Sequence, residues 1–159
     1  MPNNKSPKAR IRRLFKMHIQ GTQKEAFVVV KTISFCYLTK IVMVELKKTN
    51  SEIKDYKVYL TTKMLKHCFD RKTAEVFDFL LDNLNCIISY PEKIYKNKSM
   101  KRGDFGFVKT LKGDKYFSSL EFDNKQKKMF VVTSFRLKND NYLQNYELLW
   151  SWEDGTPPS

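Results

Sequence analysis

At 159 residues, with 42% hydrophobic and 14% aromatic content, the chain can bury a real core, which excludes a disordered polymer and fits one domain with an added arm. Thirty basic residues against 17 acidic ones give a net charge of +13 and a pI near 9.6, a field suited to polyanions, nucleic acid above all. No apolar run reaches the length of a membrane span and no signal peptide follows the basic start, so a cytoplasmic protein without a membrane partner is expected.

The charge is uneven. Residues 1–72 hold 17 basic and 5 acidic residues, and residues 73–159 hold 13 and 12. Cys36, Cys68 and Cys86 are odd in number and widely spaced, which fits buried thiols in a reducing cytosol. With two distant histidines and no CxxC, neither a zinc site nor any other cofactor is expected.

In chain order, residues 1–13 of "MPNNKSPKARIRRLFK" form a flexible basic arm in which Arg10, Arg12 and Arg13 are placed to meet a phosphate backbone. Residues 14–56 read as a β-rich part, with two or three strands in "AFVVVKTISFCYLTKIVMVEL" and a polar turn at Lys47–Lys57. "VYL" is a short extended piece. Thr61 or Thr62 caps a short helix over 62–70, and Thr73 caps a longer one. In the longer helix Phe77, Leu80, Leu81, Leu84, Ile87 and Ile88 make one continuous stripe, to be packed on a sheet, and the helix ends before Pro91. "PEKIYKNKSMKRGD" reads as a basic loop. "FGFVKTL", "KYFSSLEF" and "KMFVVTSFRL" follow as an antiparallel meander. The last segment is a helix stopped at Gly155, or a strand through "YELLWSW". The whole is α+β, helices against an antiparallel sheet.

Three places could carry chemistry. In "YLTTKMLKHCFDRK" the helical spacing groups Met64, Leu65, Cys68 and Phe69 on a buried side, and sets Lys63, His67 and Arg71 on a different stripe. His67 is then either a solvated surface residue or a proton carrier. The loop from Lys93 to Arg102 surrounds Tyr95 with Lys93, Lys96, Lys98, Lys101 and Arg102, cations for phosphates around a ring for a base. In "VVTSF", Thr133 shares a side with Val131 and Phe135, while Ser134 shares one with Val132 and Arg136. A hydroxyl beside a cation favours Ser134 from pattern alone. No GxGxxG, phosphate-binding loop, HExxH or paired carboxylates are present. Histidine, lysine, arginine, hydroxyls and tyrosine in a basic chain fit RNA transesterification.

The succession "VYLTTKMLKHCFDRK", "IISYPEKIYKN", "GFVKTL", "MFVVTSF", "NYLQNYELLWSW" is similar to phage-type members of the barnase–EndoU–colicin–RelE-like nuclease superfamily, over residues 57–159. The resemblance implies helices followed by a four-stranded antiparallel sheet. It implies metal-independent endoribonuclease activity of the sort found in toxins, effectors and mobile elements. The patterned positions map onto His67, Lys109 and Thr133, so the resemblance ranks Thr133 above Ser134. Many relatives carry a second histidine four or five residues after the first. Here Arg71 or Lys72 stands there, which turns the acid role toward a lysine, a tyrosine such as Tyr146, or a water held by arginine. His67 is then the proton carrier, Lys109 with Lys101 or Arg102 holds the phosphate, and Thr133 bonds a non-bridging oxygen. Arg71, Lys96, Ser134 and Arg136 complete the RNA-binding set. The substrate is RNA, such as tRNA or another structured RNA. The alternative is a non-catalytic binder of single-stranded nucleic acid, and an acidic inhibitor or antitoxin is a further partner for the basic field.

Overall fold

Among the described residues, each of the four α-helices begins at a hydroxyl side chain that accepts a backbone N–H three residues on: Ser6 from Ala9, Thr39 from Val42, Thr61 from Met64 and Thr73 from Val76. These helices are α1 (Pro7–His18), α2 (Lys40–Thr49), α3 (Thr62–Arg71) and α4 (Ala74–Ser89). The strands are β1 (Thr32–Tyr37), β2 (Lys57–Thr61), β3 (Lys93–Asn97), β4 (Phe105–Leu111), β5 (Asp114–Asp123), β6 (Lys128–Leu137) and β7 (Tyr146–Ser151), with a 3₁₀ turn at Asp140–Asn145. A computed structural model describes residues 6–19, 30–99 and 103–152. The α+β class is as expected, but the sheet has seven strands rather than four, in the order β1-β2-β6-β5-β4-β3-β7. All neighbours are antiparallel except β2 and β6.

Helix α4 lays the expected stripe on one side of this sheet: Phe77, Leu80, Leu81, Leu84, Ile87 and Ile88 are all buried, against strand residues that include Phe105, Phe107, Leu120 and Val131. Burial of each such side chain is worth roughly 1.5–3 kcal/mol. A second, smaller cluster lies on the opposite side, with Val108, Phe117 and Leu137 at its centre and Tyr95, Phe135, Leu143 and Tyr146 around it. No helix among the described residues is long and apolar enough to cross a membrane.

Several elements differ from the sequence reading. Residues 7–13, expected in a flexible arm, lie in helix α1. Pro7 lacks the N–H that a first turn leaves unpaired, so it starts the helix rather than preventing one. Ile11 and Leu14 are buried in the main core. Arg12 reaches Asp78 and Asp82 of α4 at 2.9 and 2.8 Å, and Arg10 donates to the Phe35 carbonyl at 2.8 Å. Residues 1–5 lie outside the described residues. "KIVMVEL", read as strand for its β-branched content, is helix α2, because Val42, Met43 and Leu46 follow helical spacing behind a threonine cap. The basic loop after Pro91 begins as strand β3, with Ile94 fully buried between β4 and β7.

Because Ile11 is wholly enclosed, Ile11→Ala should destabilise the protein by about 2–5 kcal/mol and lower Tm by roughly 4–20 °C. A thermal melt indistinguishable from wild type would show that α1 does not belong to the core.

Candidate active site

Strand β2 pairs with β6 at only two positions, Val58↔Met129 and Tyr59↔Phe130, before the chain turns at Thr61 into α3. The rest of β6 would present unpaired backbone groups along its outer edge. Helix α3 lies there instead. The Cys68 thiol donates toward the Ser134 carbonyl at 3.9 Å, and beyond the helix end the Lys72 ammonium stands 5.8 Å from the centre of the Phe135 ring. His67 immediately precedes Cys68, so its backbone lies near this part of β6. It is half-buried, with Lys63 and Arg71 exposed one turn to either side.

A β-bulge decides which hydroxyl faces outward. Ser119↔Thr133 and Leu120↔Val131 are successive pairs, so Val132 is an extra residue on β6. Plain alternation would put Val131, Thr133 and Phe135 on one side. The bulge shifts the phase: Val131 remains in the helix-side core, while Thr133 and Phe135 turn to the face opposite the helices. Ser134 takes the inner side at 1% exposure. Its hydroxyl donates to the Phe117 carbonyl at 3.1 Å and accepts from Ser118 at 2.8 Å. Ser134 therefore ties β5 to β6 and has no access to a substrate.

On the outer face Thr133, Ser119, Gly106 and Tyr95 are register partners across four adjacent strands. Gly106 makes space in this row. A Cβ there would come within 2.5 Å of the Phe117 ring and 3.3 Å of Tyr146. Through that gap the Tyr146 ring reaches inward from β7, edge-on to Phe117 at 5.5 Å and stacked on Tyr142 at 5.9 Å. Burial first, and then Tyr142, raise the Tyr146 pKa, so the phenol stays protonated and gives up its proton less readily than a free tyrosine. One row further, Phe135 stacks on Phe117 at 5.1 Å and Tyr142 meets both rings edge-on. The connection from β6 to β7 thus crosses this face and holds it with Tyr142 and Leu143.

A histidine on the helix that covers β6, an outward hydroxyl on that strand, a tyrosine on the same face and cations at the rim are residue types that acid–base chemistry on a phosphodiester can use. The model of one family, phage-Barnase-EndoU-ColicinE5/D-RelE like nuclease3, matches residues 39–145. The chain belongs to this nuclease family. No curated protein and no solved structure gave a match. The match runs from the cap of α2 to the end of the 3₁₀ turn, so it contains α3, β4 and β6, and Tyr146 follows its last residue.

Not every expected site residue of this nuclease-family chain meets on the outer face. Lys109 alternates with Phe105 and Phe107 toward the helices, where its ammonium donates to the Tyr90 carbonyl at the end of α4, at 2.6 Å. Lys96, paired with Phe105, and Arg136, paired with Tyr116, also take the helix side, and Arg136 lies 3.9 Å from Asp114. Arg10 and Arg12 are engaged within the fold, as described above. Arg13 is exposed on α1, and Arg71 is exposed at the end of α3. Lys101 and Arg102 lie outside the described residues. The residue after them, Gly103 (φ +99°), packs so closely on Ser119 that a Cβ would come within 2.1 Å of its hydroxyl. The sequence reading gave no site role to Phe117, Phe135 or Tyr142, and named Lys72 only as standing where many relatives carry a second histidine. Two-residue alternation in "KYFSSL" and "TSFRL" could have paired the first two. Among the described residues no three His, Cys, Asp or Glu side chains group as metal ligands do.

Lys109→Met should leave cleavage within about threefold of wild type and cost roughly 0.3–1 kcal/mol of stability through the lost contact at the α4 terminus. A turnover loss of a hundredfold or more, with the melt unchanged, would return Lys109 to the site.

Proposed function

We propose that this chain is an endoribonuclease that cuts RNA by attack of a ribose 2′-OH on the adjacent phosphate. His67 takes the 2′ proton as the bond from the 2′-oxygen to phosphorus forms. The bond to the 5′-oxygen breaks, and Tyr146 is the candidate that passes a proton to that leaving oxygen. Thr133 donates to a non-bridging oxygen, and Lys63, Arg71 and Lys72 balance the charge of the phosphorane. The products are a 2′,3′-cyclic phosphate and a 5′-hydroxyl. Protons return to Tyr146 and leave His67 through water.

The observation that supports this reading is that α3 lies on the edge of β6, where Cys68, the residue after His67, meets the Ser134 carbonyl, while a bulge turns Thr133 outward. Membership of a nuclease family and the +13 charge agree with it. The same basic field would receive an acidic inhibitor or antitoxin, the natural partner of a nuclease carried by a phage or mobile element.

RNA incubated with the purified protein in EDTA should yield fragments with 2′,3′-cyclic phosphate and 5′-hydroxyl ends, while DNA of the same sequence, lacking the 2′-OH, stays intact. His67→Ala should slow single-turnover cleavage about 10²–10⁴-fold, with the melting temperature and RNA affinity nearly unchanged. Products ending in a 3′-hydroxyl, or full activity in the variant, would overturn the mechanism.

A further inference from the structure

Below Thr133 on the same face stands an aromatic pair that belongs to neither core. Tyr59 of β2 and Phe130 of β6 are direct partners in the short parallel ladder, and their rings lie 5.8 Å apart at a 39° tilt. Their strand neighbours Val58, Leu60 and Met129 are buried on the helix side, so both rings project to the opposite, Thr133 side. Each is half-exposed, and neither packs against either hydrophobic cluster. The Lys128 ammonium sits 4.8 Å from the centre of the Tyr59 ring.

We propose that Tyr59 and Phe130 form a stacking subsite for an unpaired nucleobase of the substrate strand, with Lys128 holding the phosphate beside it. This deepens the nuclease reading, because it rests on this face taking nucleic acid, though not on the chemistry at His67. Three features carry it. The rings are retained at the surface instead of being used in a core, which favours a role as a platform. The cation beside them is the companion that a stacked nucleotide needs, since its base wants a ring and its backbone wants a positive charge. The spacing also fits: Phe130 and Thr133 pair with Glu121 and Ser119, two residues apart on β5, so they stand roughly 7 Å apart along the sheet, within reach of a nucleotide next to the one being cut. A base already paired in a duplex has no free face to offer the rings, so the subsite selects single-stranded RNA at the cleavage point. It reads strandedness rather than sequence, because every base has a face to stack.

Binding is measurable without cleavage on a fluorescein-labelled DNA single strand of about 10 nucleotides, which has no 2′-OH to attack. Phe130→Leu and Tyr59→Leu should each weaken its binding by about 5- to 150-fold, the range that one stacked base is worth, and leave the salt dependence unchanged. Lys128→Gln should instead reduce the slope of log K against log salt by about 0.7. One abasic position at the stacked base should cost wild type as much as Phe130→Leu does, and cost that variant nothing more. A duplex of the same sequence should respond to neither leucine substitution. If the leucine variants misfold, as a melt would show, Phe130→Trp serves in their place, its emission quenched by the base-bearing strand and not by the abasic one. Unaltered affinity in well-folded leucine variants, an equal loss on the duplex, unquenched emission from Phe130→Trp, or no binding of the strand by wild type would each overturn the subsite. If the rings merely brace the β2–β6 ladder, stability falls and affinity does not. Failure of RNA cleavage in EDTA alongside the expected binding pattern would strike the transesterification and leave the subsite standing. Cleavage with unchanged binding would do the reverse.

Discussion

The outer edge of β6 is the constraint from which the site follows. A strand edge cannot stay bare without inviting another chain to pair with it. Here the strand that could have covered it, β2, leaves after two paired residues. Thr61 ends β2 and caps α3 in one step, so the helix continues along the edge that the strand abandoned. The inner side of α3 is set by Met64, Leu65 and Cys68, and the Cys68 thiol meets a β6 carbonyl directly. The neighbouring stripe, Lys63, His67 and Arg71, remains outside that packed side. One covering helix thus seals an edge and brings a histidine and cations beside a strand.

The second half of the arrangement is a phase shift. A strand of regular pleat would have turned Thr133 into the helix-side core along with Val131. The extra residue at Val132 lets Val131 stay buried and turns Thr133 outward. Ser134 then falls inward, where its hydroxyl links two strands and is fully used. Gly106 does for the centre of the face what the bulge does for its edge. By carrying no side chain it admits both Phe117 and Tyr146 over one point of β4. The crossing from β6 to β7 then holds Tyr146 in place from above through Tyr142.

Local signals in the sequence recovered the elements whose causes are local. The caps at Thr61 and Thr73, the α4 stripe and the meander all depend on residues a few positions apart. Helix α2 was hidden because Ile41, Val42 and Val44 weigh toward strand, although Val42, Met43 and Leu46 keep helical spacing. Helix α1 was hidden because proline and arginine resemble a solvated arm, and what makes it helical is a core and a carboxylate pair some seventy residues away. The lysines around Ile94 disguised β3 in the same way. The choice between Thr133 and Ser134 could not be made from alternation, since the bulge is a property of two strands in register. The side of the sheet taken by Lys109 required knowing that Phe105 and Phe107 face the helices. His67 could be set apart because helical spacing alone separates it from the Met64–Cys68 side. The aromatic face could not, since Phe117, Phe135 and Tyr142 come from two strands and a crossing turn.

The central claim is that His67 and Thr133 act on one phosphate. The most direct measurement is a double-mutant cycle, in which single-turnover RNA cleavage is followed in His67→Ala, Thr133→Val and the pair. Side chains that serve one transition state are strongly non-additive. The double variant should therefore be slower than His67→Ala by much less than Thr133→Val alone slows the wild type, a coupling on the order of 0.5–3 kcal/mol. Rate losses that multiply cleanly, as for two distant and independent sites, would contradict the account.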